Sequence, residues 1–415
     1  FCCLKYARCL EPLVRRLGCI VDLAHLLIAG CAKPAPKGPI KVGIATCLSG
    51  PPAVFGNQNI NGFKLAVEEV NSKGGVLGRK IEVVTRDTKF KPDIAMSVAK
   101  ELVMSEKVDV LAGTINSAAA LAISDYCKTE KIPFIVLNSL SEKITGAKGH
   151  RYVFSTVPNT AMFGKAQAQF EARQPYTKWW IAGDDYEYGH AIADAFWRNL
   201  KALKPEVQLV GQSWWKVGEP DLMPYINAIL AAKPDALFFA CGGASVTNAM
   251  KVSKTTGLAE KMHISMPTAI DTVVISPLGP NAPEGAFGGI SYLFYYPDTP
   301  ANKAFANAFY KAYGEHPGFS AFSGYIAGRF VAEAYKKAGT TDAEKFIDAL
   351  EGLEIDSPVG KIKMRAYDHQ VEEPIFVGQT TKVPEYNFLV ATNIAEIPGK
   401  DLMPSIEEIK KARGE

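Results

Sequence analysis

Apart from its first 31 residues, this 415-residue chain has no stretch long and apolar enough to span a bilayer. It also lacks an excess of either charge. Lys and Arg total 46 against 43 Asp and Glu, a net +3 with no long basic run, so nucleic acid is not an expected partner. Eight cysteines are present, but five (Cys2, Cys3, Cys9, Cys19, Cys31) crowd the first 31 residues. The other three, Cys47, Cys127 and Cys241, lie far apart with no CxxC or Cys/His spacing, so they read as buried free thiols. The six histidines form no HExxH pair. No GxSxG elbow, phosphate-binding P-loop or GxGxxG fingerprint occurs, and the adjacent Asp184 and Asp185 would point apart. No catalytic residue, metal or cofactor is expected, and there is no short-period repeat.

The N-terminal residues differ from the rest. Lys5, Arg8, Arg15 and Arg16 precede a mostly apolar stretch, Leu17 to Gly30, which ends Leu27-Ile28-Ala29-Gly30-Cys31. A basic start, an apolar middle and small residues before a cysteine are similar to a bacterial lipoprotein signal with Cys31 as the lipidated residue. The proline-rich run from Lys33 to Pro39 follows as a tether. Residues 1–38 are therefore expected to be leader and tether, and a lipid at Cys31 the only link to a membrane. A mis-started leader is the alternative.

From Ile40 the chain alternates strand-like and helix-like segments. Ile40–Ala45 reads as a strand and Asn57–Lys73 as a helix with Ile60, Phe63, Val67 and Val70 on one face. Lys80–Thr85 is the next strand, followed by a helix with Ala95, Val98, Ala99 and Leu102 on one stripe. A second series, with strands at Lys178–Ala182, Val207–Ser213, Ala236–Ala240 and His263–Ser265, follows from near Tyr152. Helices are expected near Asn302–Tyr313, Ala321–Ala338 and Asp342–Leu350, then strand-like segments at 359–363 and 374–377. This is an α/β pattern with parallel sheets, whose ligands bind outside the carboxyl ends of strands.

One such end stands out. The apolar run Val108–Ala112 passes into Gly113-Thr114-Ile115-Asn116-Ser117-Ala118, and a helix-like stretch starts at Ala118. Ser117 and Ala118 thus bring a hydroxyl and unpaired helix-start N–H groups together, a fit for a carboxylate. A second hydroxyl-bearing end, Asn138-Ser139-Leu140-Ser141, follows the strand-like Ile132–Leu137.

The order of several further segments resembles the leucine/isoleucine/valine-type solute-binding proteins of ABC importers. These are Ile40-Lys41-Val42-Gly43 leading to Leu48-Ser49-Gly50-Pro51 and Phe55-Gly56, then Gly74 to Ile81, Asp184 to Gly189, and Glu284-Gly285. The resemblance runs from about Ile40 to Asn393. It implies a type I periplasmic-binding fold: two doubly wound parallel-sheet lobes, a three-segment hinge and a ligand cleft between the lobes. Lobe one would be 40–156 and 291–357, lobe two 157–290 and 358–393, with 394–415 a C-terminal extension. It implies a periplasmic or membrane-facing monomer that delivers a small carboxylate or amino acid to a permease.

The resemblance also implies site roles. Ser117 would hold the ligand carboxylate, Ser139 and Ser141 would supply a backbone contact and a hydroxyl, and Phe55 and Tyr188 or Tyr186 would line the cleft. Amino-acid binders place an acidic residue where this chain has Thr268, with Asp271 three residues on. Either Asp271 reaches the site through a shifted loop, or the ligand has no ammonium. The second option is the working expectation: apolar or aromatic carboxylates preferred over leucine, isoleucine and valine, because a buried ammonium without a counter-charge is costly. Cys241-Gly242-Gly243-Ala244 replaces an expected tyrosine and leaves room, and the family's disulfide positions fall near Phe90 and Asn116. The rival readings are a ligand-sensing protein of the same fold and an α/β enzyme.

Overall fold

Strand β1, Ile40–Thr46, is buried almost throughout because both faces of its sheet are covered, so its side chains need not alternate in polarity. The computed structural model describes residues 38–415; the leader, the tether up to residue 37 and Cys31 lie outside the described residues. β1 pairs in parallel with β2 (Ile81–Asp87) on one side and β3 (Val110–Gly113) on the other. β4 (Phe134–Val136) and β5 (Val153–Ser155) complete a five-stranded parallel sheet of order β2-β1-β3-β4-β5. The chain therefore turns to opposite sides after β1 and β3, and the crevice at such a reversal is where α/β sheets take ligands.

The second series repeats this plan. β6 (Lys178–Asp184) is flanked in parallel by β7 (Gln208–Trp215) and β8 (Ala236–Ala240), and β9 (His263–Ser265) and β10 (Phe287–Ile290) continue outward. β11 (Glu354–Ser357), β12 (Gly360–Met364) and β13 (Val371–Glu372) form a small antiparallel sheet, and Gln370 bridges to Ser155 of the first half. β14 (Ile375–Thr381) then adds antiparallel to β10, and β15 (Val390–Ile397) closes a seven-stranded sheet. The expected boundary at 357/358 would cut the small sheet, and one at 393/394 would cut β15. The chain instead returns to the second sheet at Ile375.

Two 20-residue helices, Ala53–Ser72 and Phe319–Ala338, pack together against the first half. Glycines set their approach: a Cβ on Gly62 would lie 1.9 Å from the Ala321 carbonyl oxygen, and one on Gly324 would lie 2.1 Å from that of Asn59. The core is apolar and ring-rich; Trp179 is fully buried, as are the free thiols of Cys47, Cys127 and Cys241.

Candidate ligand site

In the first half, β3 ends at Gly113, whose φ of 135° suits only glycine and whose added Cβ would sit 2.0 Å from the Ala45 carbonyl oxygen. The chain turns there into the helix Ser117–Glu130. Asn116 caps it, its side chain accepting from the Ala119 N–H at 3.0 Å. Ser117 is therefore the first helical residue, buried to 1% exposure, beside the helix's positive end. Its hydroxyl accepts from the Ser141 N–H at 3.3 Å, which joins the loops after β3 and β4.

In the second half, Tyr186 stands in extended backbone just before the helix Glu187–Leu203, and Tyr188 follows within its first turn. Asp184, buried at the end of β6, accepts from the Trp215 indole at 3.0 Å and from the Gly242 N–H at 3.1 Å. Burial pushes its carboxyl above the ordinary range. It therefore fixes the Gly242 turn against both tyrosines.

These ends meet around a cavity of about 50 Å³. The first half supplies Phe55, Ile115, Ser117, Asn138, Leu140 and Phe319; the second supplies Tyr186, Tyr188, Gly242, Gly243, Thr268 and Asp271. The halves are in contact here, since a Cβ on Gly243 would lie 3.3 Å from the Phe55 ring. Among the described residues, the wall holds no Lys, Arg or His, and its one carboxylic acid is Asp271.

The turn 266–271 explains how Asp271 arrives. Ala269 N–H bonds to the Met266 carbonyl and Asp271 N–H to the Thr268 carbonyl, which carries the chain round in six residues. Thr268 pays for this with a φ of 60°, a left-handed conformation that a β-branched residue rarely adopts. Its hydroxyl is buried without a hydrogen-bond partner. Asp271 Oδ1 accepts from the N–H groups of Val273 and Phe319, each at 3.3 Å, at the starts of two helices. Those donors favour the anion, but burial outweighs them and raises its pKa to about 6.

Of the residues singled out from sequence, Phe55, Ser117, Tyr186, Tyr188, Thr268 and Asp271 come together at the cavity. Three do not. Ser139 is buried behind the wall, its hydroxyl donating to the carbonyls of Thr114 at 2.7 Å and Asn116 at 3.2 Å. Ser141 donates its hydroxyl to Glu187 Oε1 at 2.7 Å, across to the second half. Ala118 is exposed on the helix. Sequence reasoning missed Ile115, Asn138, Leu140 and Phe319 as wall residues. Phe319 comes from a helix start far along the chain, and no local pattern links it to the others.

The periplasmic binding protein family matches residues 39–383. The leucine-, isoleucine-, valine-, threonine- and alanine-binding protein of Pseudomonas aeruginosa is 25% identical over 342 residues, 82% of this chain and 89% of its own length. The Leu/Ile/Val/Thr-binding protein of Salmonella typhimurium is 25% identical over 351 residues, 83% of this chain and 90% of its own. Among solved structures, an ABC-transporter solute-binding protein from Rhodopseudomonas palustris BisB5, in complex with 3,4-dihydroxybenzoic acid, superposes with a TM-score of 0.81. It is 27% identical, and the match covers 88% of this chain and 98% of that one. Family and fold agree: the chain belongs to the periplasmic binding protein family, and like its relatives it is a solute-binding protein rather than an enzyme.

Proposed function

We propose that this protein captures an α-amino acid with an apolar or aromatic side chain, closes its two halves on it, and presents the closed form to the permease of an ABC importer outside the cytoplasm. One observation carries the ligand class: a buried carboxylate, Asp271, in a cavity wall that contains no basic side chain among the described residues. A ligand that brought only a carboxylate would put two like charges into one desolvated space. A zwitterion resolves this. Its carboxylate takes the Ser117 hydroxyl and the helix N-terminus, and its ammonium takes Asp271 and the unpartnered Thr268 hydroxyl. Phe55, Leu140, Tyr186, Tyr188 and Phe319 surround its side chain. This reverses the expectation of a ligand without an ammonium, because the tight turn after Thr268 brings Asp271 to the wall.

A deaminated aromatic acid is the second reading. The rings of Phe55, Tyr186, Tyr188 and Phe319 favour it, as does the dihydroxybenzoate held by the R. palustris relative. It requires Asp271 to be protonated and to donate to the ligand. A thermal-shift panel separates the two: L-leucine against 4-methylpentanoate, L-phenylalanine against 3-phenylpropanoate, and 3,4-dihydroxybenzoate. At a hundredfold excess over Kd a ligand adds about 2.7 kcal/mol to stability, which reads as a higher Tm. Stabilisation by the amino acids alone is expected. Stabilisation by the deaminated acids alone refutes the proposal.

A further inference from the structure

We infer that Glu187 is a closure latch, a positioning residue that holds the first half against the second and sets how long a ligand stays bound. The inference rests on the proposed capture by closure. Glu187 opens its helix between Tyr186 and Tyr188, the two tyrosines of the cavity wall. Both of its carboxylate oxygens are engaged by the other half. Oε1 accepts from the Ser141 hydroxyl at 2.7 Å, and Oε2 pairs with the Lys143 ammonium at 3.0 Å. Ser141 and Lys143 belong to the loop after β4, in the five-stranded sheet.

The two bonds are unequal. Lys143 is 53% exposed, so water and salt screen its attraction and it contributes little alone. Ser141 is buried to 1%, so its bond to a carboxylate is the strong one. Ser141 also donates its N–H to the Ser117 hydroxyl, so the latch stands one residue from the group assigned to the ligand's carboxylate. Groups that meet only when the halves are together stabilise the closed form, and their loss speeds its opening. Glu187 is not one of the residues lining the ligand cavity, so its effect should fall on dissociation more than on recognition.

Stopped-flow kinetics with L-leucine, or with 3,4-dihydroxybenzoate if that is the compound that binds, tests this. Glu187→Ala is expected to release the ligand about tenfold faster with an unchanged association rate, the scale of losing one hydrogen bond to a charged group. Glu187→Gln keeps a neutral bond to Ser141 and should fall between wild type and Glu187→Ala. Added salt should speed release from wild type and not from Glu187→Ala. Ser141→Ala should speed release by a similar factor and add little to Glu187→Ala, a coupling that a merely structural role would not give. Equal dissociation rates in folded wild type and Glu187→Ala overturn the latch. If neither compound binds, the ligand reading fails separately, and small-angle X-ray scattering of the ligand-free proteins decides the latch. A larger radius of gyration for Glu187→Ala supports it, and identical radii overturn it.

Discussion

Replacing Asp271 by Asn separates the cost of a buried carboxylate from its use. Burial raises the Asp271 pKa from an ordinary 3.8 to about 6, so the folded protein holds that proton more tightly than the unfolded chain does. The associated stability is fully present below pH 3.8 and is lost as pH rises through about 6. Above that pH the charged carboxylate weakens the fold by about 3 kcal/mol relative to a neutral group. Asn keeps an oxygen to accept from Val273 and Phe319 and carries no charge, so Asp271→Asn should be more stable than wild type at about pH 8. For a unit spanning Ile40–Glu415 the unfolding entropy is about 0.8 kcal/mol per kelvin, which converts the gain to about 4 °C in Tm. Near pH 4 both proteins are neutral at this position, and the gain should shrink to almost nothing. The same substitution removes the partner proposed for the ligand's ammonium, an effect of about 3–5 kcal/mol for a buried ion pair, so calorimetry with L-leucine should show binding more than about a hundredfold weaker. Scanning calorimetry of the ligand-free proteins at the two pH values makes the test independent of ligand identity. A gain of equal size at both would refute the charge argument, and unchanged leucine affinity would remove Asp271 from ligand recognition.

Two further substitutions probe opposite walls of the cavity. Ser117→Ala should weaken binding of the panel's tightest ligand by about 1–2 kcal/mol, the scale of one charge-assisted hydrogen bond, and unchanged titration calorimetry would take Ser117 out of the site. Gly242→Ala places a methyl 2.8 Å from the Tyr186 hydroxyl and 3.1 Å from the Tyr188 ring. It should lower affinity by about 1–3 kcal/mol with the circular dichroism spectrum intact, and full affinity would mean that ligand never packs there.

The alternation of strands and helices was legible because periodicity reports burial directly, and the N-terminal strands and helices fall where it places them. Several strands were not legible, two of them for local reasons. Phe287–Ile290 contains two adjacent glycines, which carry no β signal; a Cβ on Gly288 would lie 3.1 Å from Ala269 N. Val390–Ile397 is interrupted by Asn393 at a φ of 52°. The site divides along the same line. Ser117 was readable because a hydroxyl at a helix start advertises its geometry in a few consecutive residues. Ser139 and Ser141 look the same in sequence, yet their hydroxyls are taken by Thr114, Asn116 and Glu187, partners 23 to 46 residues away. Asp271 was readable as present but not as placed, because a left-handed Thr268 is not a conformation that sequence predicts for threonine.

The run Asp184-Asp185-Tyr186-Glu187-Tyr188 shows how closely the two tasks of such a protein can be interleaved. Asp184 faces inward and holds Trp215 and Gly242, while Asp185 faces solvent and pairs with His190 at 2.8 Å. Tyr186, in extended backbone with φ −157° and ψ 177°, and Tyr188, in the helix's first turn, reach the cavity, and Glu187 between them reaches the other half. A shift of this segment that moved the tyrosines would also move the carboxylate that joins the halves. If the tyrosines receive the ligand and the halves close on it as proposed, recognition and closure are not independent here. A ligand that fits between the tyrosines leaves Glu187 in register with Ser141 and Lys143, whereas one that displaces them weakens the bonds holding the site shut. Selectivity on this account appears in dissociation rates first. Poor ligands should enter about as fast as good ones and leave faster.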